Sequence, residues 1–376
     1  MISYPVLATC ISADESYVVR FDPADNQKNT LTVSLFGCHN KITDSTKLIS
    51  SIEYNRDPIV NGNFICLKEL PPYDDGDIVR YNHIDKTLVT QYSIKSENNV
   101  LFLTTHCNCN CVMCPQSQCN DKGKLYSEAL QLIDMIDTPP VTITLTGGEP
   151  TFFKDRFLEV IRHLREKWIN TKIVVLTNAR TLSSLDFARQ VVALAHGNIE
   201  FGIPLYSDSA IVHDEIVGLD RSWSQAILGL YNLASLKCCI ELRVVVMESN
   251  YMRLPKLLTF IARNLPFVQR IALMGLEPMG KAREIWDCIW VDPLDAVEEI
   301  ESAMQVAKRH NLNVLLYNHQ LCCLPKHLRK YAVSSISDWK RTFLDACNGC
   351  VMQGDCGGFF ESQNEAPYYS RIFNVQ

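Results

Sequence analysis

The pattern of apolar and polar positions changes near residue 95. Before it, apolar and β-branched residues form short alternating runs without helical periodicity, which predicts a β-rich domain over residues 1–95. After it, short apolar runs alternate with amphipathic segments, about 30 residues to a unit. The strand candidates are residues 100–104, 141–145, 173–177, 199–205, 240–247 and 270–275. This alternation predicts a parallel sheet.

The segments between these strands have the periodicity of helices with one apolar face. Apolar residues recur at helical spacing in residues 129–136, after a predicted N-cap at Ser127, and again in residues 157–168. Right-handed connections would curl such strands into a barrel. We therefore predict an α/β fold, a partial (β/α)6 TIM-like barrel over residues 96–310, with its chemistry at the carboxyl ends of the strands.

Composition narrows the class of protein. The 376 residues include 36 Lys and Arg against 42 Asp and Glu, a formal net charge of −6. This balance provides no broad basic surface, so nucleic acid is disfavoured as a partner. No apolar run approaches the roughly 20 residues of a membrane-spanning helix, and the first residues do not resemble a signal peptide. We expect a soluble, cytoplasmic protein with no membrane partner.

Sixteen cysteines are the most unusual feature of the composition. In a reducing cytoplasm, such a count indicates metal binding more often than disulfides. The first dense group comprises Cys107, Cys109, Cys111, Cys114 and Cys119, and the second comprises Cys322, Cys323, Cys347, Cys350 and Cys356. Two groups predict two candidate metal sites, the second in a cysteine-rich extension over residues 311–376.

The first group lies directly after the first predicted barrel strand. Cys107, Cys111 and Cys114, in the spacing Cys-x3-Cys-x2-Cys, supply three thiolates from one loop. Three protein ligands on a four-iron cluster leave one iron open to a substrate. The spacing alone is also compatible with a zinc site formed by Cys111, Cys114 and Cys119, or with buried thiols that bind no metal.

A glycine-rich turn, Gly147-Gly148-Glu149-Pro150, follows the second predicted strand. Two glycines let a backbone approach a ligand closely, and Glu149 offers an acceptor to a cationic group. The turn comes on the same rim of the predicted barrel as the cysteine loop. This arrangement is what binding the ammonium group of S-adenosylmethionine (SAM) beside a cluster would require.

The cysteine loop and the turn, in this order, resemble the radical SAM superfamily over about residues 98–285. Met113 stands where that family usually has an aromatic residue. The resemblance implies that Cys107, Cys111 and Cys114 hold a [4Fe-4S] cluster with an open iron site. It implies that Gly147, Gly148, Glu149 and Pro150 seat the methionine part of SAM, and that Asn178, Ser207, Arg243 and Met274 help to hold its other parts. For each of these last four, ordinary turn or core roles are equally compatible with the sequence.

The second group, with Cys347-x2-Cys350-x5-Cys356, has spacing that also suits a structural zinc ribbon. After a radical SAM barrel it resembles the SPASM and Twitch extensions, which carry auxiliary [4Fe-4S] clusters. Phe360 occupies the place of a further SPASM cysteine, so the match is to the shorter Twitch type. The resemblance implies ligands Cys347, Cys350 and Cys356, with Cys322 as the fourth and Cys323 as the alternative.

Four segments have sequences that resemble those of the HxsC-type maturases of the His-Xaa-Ser peptide system. They are residues 113–116, 317–322, 335–340 and 356–360. That resemblance implies a ribosomally made precursor peptide with His-Xaa-Ser repeats as substrate. It also implies a second radical SAM maturase as a partner, and we expect a flavodoxin- or ferredoxin-type electron donor.

The function expected from these resemblances is that of a radical SAM peptide maturase. It would reductively cleave SAM to a 5′-deoxyadenosyl radical and modify the precursor peptide by hydrogen-atom abstraction. One alternative is a radical SAM enzyme acting on a small metabolite or RNA. Another is a zinc-binding interaction scaffold without enzymatic activity. The sequence assigns no catalytic residue, no modified side chain and no role to the auxiliary cluster.

Overall fold

The structure is a computed structural model. It describes residues 3–9, 17–22, 30–36, 49–54, 63–67, 74, 76–82, 87–116, 121, 123–337, 340–363 and 370. Of the cysteines considered above, Cys119 lies outside these residues. The possible zinc site that includes it is therefore not described.

The described residues of the N-terminal region include seven strands. They are β1 (Ser3–Thr9), β2 (Tyr17–Asp22), β3 (Thr30–Phe36), β4 (Ile49–Tyr54), β5 (Asn63–Leu67), β6 (Ile78–Asn82) and β7 (Thr87–Tyr92). They form a closed barrel in the order β1-β5-β4-β3-β2-β6-β7, which β1 and β7 close by antiparallel pairing. Neighbouring strands are antiparallel except for the parallel pair β4 and β5. The β-rich character predicted for this region is thus confirmed, and its extent as a domain over residues 1–95 stays a prediction.

A second sheet contains eight strands in sequential order. They are β8 (Asn99–Phe102), β9 (Thr142–Thr146), β10 (Lys172–Leu176), β11 (Ile199–Pro204), β12 (Cys239–Val245), β13 (Arg270–Met274), β14 (Val314–Tyr317) and β15 (Ala332–Val333). Every neighbouring pair is parallel, from β8 and β9 to β14 and β15. The α/β fold is confirmed. The carboxyl ends of these strands form one edge, which we call the rim.

The sheet has two parallel strands more than the six predicted. β14 has four residues and β15 has two, and both come from the predicted extension. Strands this short carry little pattern of their own. The pairing of β14 with β13 and of β15 with β14 therefore defines them more than their residue types do. The extension therefore continues the sheet, and Cys322 and Cys323 lie between its two strands.

Nine helices accompany the second sheet among the described residues. They are α1 (Lys124–Met135), α2 (Lys154–Lys167), α3 (Leu185–Leu194), α4 (Ala210–Val217), α5 (Ser222–Ser235), α6 (Leu254–Asn264), α7 (Lys281–Glu284), α8 (Trp286–Ile289) and α9 (Val297–Arg309). In α2, the predicted apolar face is buried through Phe157, Val160 and Leu164. The predicted cap at Ser127 is wrong, because α1 begins three residues earlier, after Gly123 in a left-handed conformation with φ 75°. Gly adopts that conformation without a steric penalty.

The cysteine-rich C-terminal region packs on the rim. Two short strands, β16 (Arg341–Thr342) and β17 (Phe359–Phe360), pair in antiparallel fashion. Gln320 Nε2 donates a hydrogen bond to the carbonyl of Gly358 at 3.0 Å, and Lys340 forms an ion pair with Glu277 at 3.2 Å. These contacts fix the region beside the ends of β13 and β14. Within the part of the chain that the structure describes, no helix has the length and apolar character needed to cross a membrane.

Candidate functional site

The first cysteine group lies in the loop that follows β8, at the rim. Asn110 and Val112 donate main-chain hydrogen bonds to the carbonyls of Val217 and Ile216, at 2.9 and 3.0 Å. The Asp121 carboxylate accepts a hydrogen bond from the Thr105 amide at 2.8 Å, at the base of the loop. The loop is therefore fixed to α4 and to the segment before α1 by contacts that do not involve the thiols.

An apolar shell surrounds this loop. Its buried members are Cys109, Met113, Tyr206, Ile216, Val217, Met247, Leu276, Ala282, Trp286 and Ile289. Cys107 and Cys111 pack against it from partly buried positions. An apolar surrounding excludes water and strengthens electrostatic interactions within it. The shell is therefore suited to chemistry that water would interrupt.

Mutual proximity and burial raise the pKa values of the three predicted cluster ligands. The pKa of Cys111 is raised to about 12, chiefly by burial and then by the neighbouring charges of Cys107 and Cys114. A hydrogen bond to Cys109, followed by burial, raises the pKa of Cys107. Burial also raises the pKa of Cys114, which Lys281 opposes. These thiols become thiolates most readily with a cation between them.

The donor set fits a four-iron cluster. Three thiols converge from one loop, and thiolates are the usual ligands of iron–sulfur clusters. Among the described residues, no group of three or more His, Cys, Asp or Glu side chains could hold a metal ion together. That finding concerns a single ion, whereas in a cluster each thiolate binds a separate iron.

Cys109 lies outside the predicted ligand pattern, yet it is buried at the centre of the loop. Its sulfur accepts hydrogen bonds from Asn178 Nδ2 at 3.2 Å and from Arg180 Nη1 at 3.8 Å. Its pKa is lowered, first by a hydrogen bond from Cys107 and also by Arg180. Cys109 thus links the loop to the residues that follow β10.

The Gly147-Gly148 turn packs against the backbone of the cysteine loop. The amides of Gly148 and Glu149 donate to the carbonyls of Thr104 and His106, both at 2.7 Å. A Cβ atom on Gly147 would lie 2.4 Å from the Thr104 carbonyl oxygen, and one on Gly148 would lie 2.3 Å from that of His106. From the sequence alone, these glycines predict a close approach of the backbone to a ligand. The structure shows that both make close approaches to the chain itself.

Glu149 is fully buried, and its carboxylate joins the ends of β9 and β10. One oxygen accepts hydrogen bonds from the amide and hydroxyl of Thr151 and from the Thr177 hydroxyl at 2.7 Å. The other accepts from the Asn178 amide at 2.8 Å. Burial raises the pKa of Glu149, and these hydrogen bonds oppose the rise. The carboxylate thus accepts four hydrogen bonds within the protein, three of them at one oxygen, and a role of its side chain toward SAM stays a prediction.

The other predicted cofactor residues also lie near the rim, with protein partners of their own. Pro150 accepts a hydrogen bond from the Tyr126 hydroxyl at 2.7 Å. Ser207 is buried, and its hydroxyl accepts from the Ser209 amide at 3.1 Å. Arg243 donates to Glu241 at 3.1 Å. Asn178, whose side chain donates to Asn108 at 2.7 Å, follows β10, and Met274 is the last residue of β13. Their cofactor roles stay predictions.

Tyr206 is a residue of the site that the sequence pattern does not indicate. It follows β11, is buried in the apolar shell and stacks on His213 with ring centroids 5.5 Å apart. Its pKa is raised well above the ordinary value, by burial and then by Cys111, Cys109 and Cys114. Its ring therefore lies beside the cysteine loop. The only sequence signal was its place in the strand-end run Leu205-Tyr206-Ser207, of which we selected the serine.

The structure also brings the second cysteine group together. The pKa of Cys347 is raised by burial and then by Cys322, Cys356 and Cys350, which places all four in one neighbourhood. Cys323 lies with its sulfur 3.9 Å from that of Cys322, but it is buried and interacts with Ser370 and Asp292. Of this adjacent pair, Cys322 is the one that interacts with Cys347.

Comparison with known proteins gives one family match. A family model described as a 4Fe-4S single cluster domain matches residues 98–200, which include the cysteine loop and the glycine turn. No curated protein matches the chain.

Several solved structures are similar. SuiB from Streptococcus suis shares 15% identity at a TM-score of 0.44, over 60% of this chain and 50% of that one. A radical SAM methyltransferase from Sphaerobacter thermophilus shares 14% sequence identity at a TM-score of 0.44, and the match covers 66% of this chain and 75% of that one. Coproporphyrinogen III oxidase (HemN) from Escherichia coli, a radical SAM enzyme, shares 14% sequence identity at a TM-score of 0.43. The match covers 57% of this chain and 52% of that one. The chain thus spans about half the length of the SuiB chain. Similarities this low carry no argument about activity.

Proposed function

We propose that this chain is a radical SAM enzyme whose [4Fe-4S] cluster is held by Cys107, Cys111 and Cys114. The observation that carries the proposal is the direct docking of the Gly148-Glu149 backbone on the backbone of Thr104 and His106. A loop with three converging thiols and a glycine-rich turn thus lie side by side at the rim of a parallel α/β sheet. Ligands of such sheets bind at this edge.

A four-iron cluster with one open iron, together with bound SAM, supplies one-electron cleavage of SAM and removal of a hydrogen atom from a substrate. The residues of the chain hold and shield these groups. Lys281 lies close enough to Cys111 and Cys114 to oppose their negative charge. Met113, Met247 and Leu276 exclude water around the loop.

For the substrate, we propose a ribosomally made precursor peptide with His-Xaa-Ser repeats, modified in the cytoplasm. The support is the resemblance of residues 317–322 and 356–360 to HxsC-type maturases. In this proposal Cys322, Cys347, Cys350 and Cys356 hold an auxiliary [4Fe-4S] cluster, and their common neighbourhood around Cys347 supports it. A second radical SAM maturase and a flavodoxin- or ferredoxin-type donor complete the system.

The test of the proposed chemistry uses the full chain, purified and reconstituted without oxygen. Iron and sulfide are counted, and 5′-deoxyadenosine formed from SAM and dithionite is measured by liquid chromatography. We expect about eight irons per chain and SAM cleavage. Cys111→Ala should abolish cleavage, whereas Cys288→Ala, at an exposed cysteine, should leave it unchanged. SAM cleavage that survives in Cys111→Ala would contradict the ligand assignment.

The peptide substrate requires a separate test. The reconstituted chain is incubated with SAM, reductant and a candidate precursor with His-Xaa-Ser repeats, and the peptide is analysed by mass spectrometry. A mass change that depends on SAM supports the peptide proposal. If SAM is cleaved but the peptide stays unmodified, with and without the partner maturase, the radical SAM assignment stands and the peptide assignment fails.

A further inference from the structure

One face of the second sheet packs against helices, and the other stays partly open. Ile143 and Val175 lie on the packed face and are buried in the main hydrophobic core. Successive side chains of a strand point to opposite faces, so Thr144 and Val174 lie on the other face, and both are partly exposed. We call this the inner face. Parallel sheets are usually covered on both sides, so a partly open face is a place where a ligand can lie.

Five charged side chains meet on the inner face. Glu200 pairs with Lys172 and with Arg270, the latter at 2.6 Å. Glu241 pairs with Arg270 and with Arg243, the latter at 3.1 Å. Three cations thus share two carboxylates. Within the described part of this face, one positive charge has no negative counterpart.

Arg243 is the cation whose position suits it to bind a ligand with this charge. Lys172 and Arg270 are the first residues of β10 and β13, whereas Arg243 is the fifth residue of the seven-residue strand β12. Its side chain is 29% exposed. Among the described residues, its side chain donates only to Glu241, through Nη1. A guanidinium has five N–H donors, so most of those of Arg243 are available to a ligand.

The neighbours of Arg243 leave space around it and place it near the cysteine loop. Ala272, which pairs with Arg243 across the strands, has a small side chain, and Gly202 has none. A Cβ atom on Gly202 would lie 3.2 Å from Arg243 Cδ. Val245 packs against the apolar shell of the cysteine loop and lies two residues further along β12, about 7 Å away. A group bound at Arg243 therefore lies next to that shell.

The charge of the inner face defines the chemical class of the ligand. One unmatched positive charge is neutralised by one negative charge. A phosphate monoester carries about two at pH 8, which would leave a negative charge beside Glu241. A carboxylate carries one, and the planar guanidinium can hold both of its oxygens at once. A carboxylate therefore fits this site better than a phosphate.

We propose that Arg243 binds a carboxylate of the substrate on the inner face of the sheet, beside the cysteine loop. The proposal rests on the proposed function only in calling the bound molecule the substrate. The carboxylate belongs either to an acidic side chain of a polypeptide or to a free organic acid. SAM also has a carboxylate, and the family resemblance gives Arg243 to SAM. However, the ammonium and sulfonium groups of SAM make it a net cation, which does not neutralise this face.

The experiment is a ligand-observed NMR titration of the full reconstituted chain, at constant ionic strength and pH 8. Neither SAM nor reductant is present, so the result does not depend on SAM cleavage. The free probes are propionate, its neutral counterpart propionamide, and methyl phosphate. The polypeptide probes are the N-acetylated amides of glutamate and of glutamine. We expect saturable binding of propionate and of the glutamate probe, weaker binding of methyl phosphate, and none of the two neutral probes.

Three variants test the role of Arg243. Arg243→Met keeps the apolar stem and removes the charge, so the carboxylates should bind about tenfold more weakly. Arg243→Lys keeps the charge but not the planar fork, and it serves if the first variant fails to fold. We expect binding between that of Arg243→Met and that of the unmodified chain. Arg189→Met, at an exposed position of α3, is the control and should bind as the unmodified chain does. Unchanged affinity in a folded Arg243 variant contradicts the proposal.

A repeat of the titration with SAM present separates substrate from cofactor. Equal or tighter binding of the carboxylates supports the substrate assignment, whereas their displacement by SAM assigns the site to the SAM carboxylate and overturns the proposal. Tighter binding of the glutamate probe than of propionate supports a polypeptide, and equal or weaker binding supports a free acid. If no carboxylate binds saturably, or if methyl phosphate binds as tightly as propionate, the proposal is also overturned.

Discussion

The main-chain amide of Glu149 donates a hydrogen bond to the main-chain carbonyl of His106, at 2.7 Å. The residue after His106 is Cys107, the first thiol of the loop. The geometry of the turn relative to the thiols is therefore set by backbone contacts between two strand ends. Any change that separates these backbones should disturb both the fold and the site.

Gly148→Ala tests this contact. The added Cβ would lie 2.3 Å from the His106 carbonyl oxygen, so the turn must move away from the loop. We expect a loss of about 1–3 kcal/mol in the free energy of unfolding, measured with urea, together with weaker iron retention after reconstitution. Gly354→Ala is the matched control, because no atom lies within 4 Å of its added Cβ. Equal stability of the two variants would show that the docking is not needed.

Cys109→Ala tests whether Cys109 binds iron or is only a buried thiol of the cysteine loop. The Cys109 sulfur accepts hydrogen bonds from Asn178 and Arg180, which connect the loop to β10, and its position lies outside the Cys-x3-Cys-x2-Cys spacing. We expect the variant to retain the iron of the first cluster, whereas Cys107→Ala and Cys114→Ala should lose it. Iron and sulfide analysis, with the visible spectrum, checks this. Loss of iron from Cys109→Ala comparable to that from Cys114→Ala would add Cys109 to the ligands.

His213 makes the stability of the fold depend on pH. It is buried under Tyr206, its Nδ1 accepts a hydrogen bond from the Tyr206 amide at 3.2 Å, and burial lowers its pKa to about 4. The unfolded chain binds a proton near pH 6.5, so stability falls as the pH drops from about 6.5 to about 4, by about 3 kcal/mol in total. His213→Asn, which keeps an acceptor but cannot titrate, should remove this part of the slope in urea unfolding between pH 7 and pH 5. His310→Asn, at an exposed position, should keep it.

Arg270 neutralises two buried carboxylates at the start of β13. It donates to Glu200 at 2.6 Å and also to Glu241, and these carboxylates are only 4% and 5% exposed. Arg270→Ala leaves each of them with one remaining cationic partner, so we expect a loss of about 3 kcal/mol in unfolding free energy. Arg189→Ala, which removes an exposed pair with Asp186 at 3.6 Å, should cost less than about 1 kcal/mol. Similar midpoints for the two variants in urea would contradict this difference.

The sequence predicted those features that depend on short-range pattern. The apolar face of α2, the first six strands of the sheet and the common loop of Cys107, Cys111 and Cys114 all follow from spacing within a few residues. Features that depend on tertiary contacts were not predictable. The Glu149 carboxylate accepts hydrogen bonds from Thr177 and Asn178, 28 and 29 positions away. β14 is defined by its pairing with β13, and β15 by its pairing with β14.

The surroundings of buried side chains were equally unpredictable from the sequence. Nothing in the neighbouring residues of Tyr206 or His319 indicates that one ring lies beside the cysteine loop and the other in the wall of a pocket. One is a tyrosine and the other a histidine, and each lies just after a strand, where polar residues are common in any case. Their roles become visible only once strands far apart in the sequence lie side by side.

The adjacent cysteines of the second group give a prediction that the sequence alone left open. Cys322 interacts with Cys347, whereas Cys323 is 1% exposed and interacts with Ser370 and Asp292. If an auxiliary cluster is bound as proposed, Cys322→Ala should reduce the iron content from about eight to about four per chain, and Cys323→Ala should not. SAM cleavage should persist in both variants, because the first cluster is separate. A loss of four irons in Cys323→Ala but not in Cys322→Ala would reverse the ligand assignment, and about four irons in the unmodified chain would remove the auxiliary cluster from the proposal.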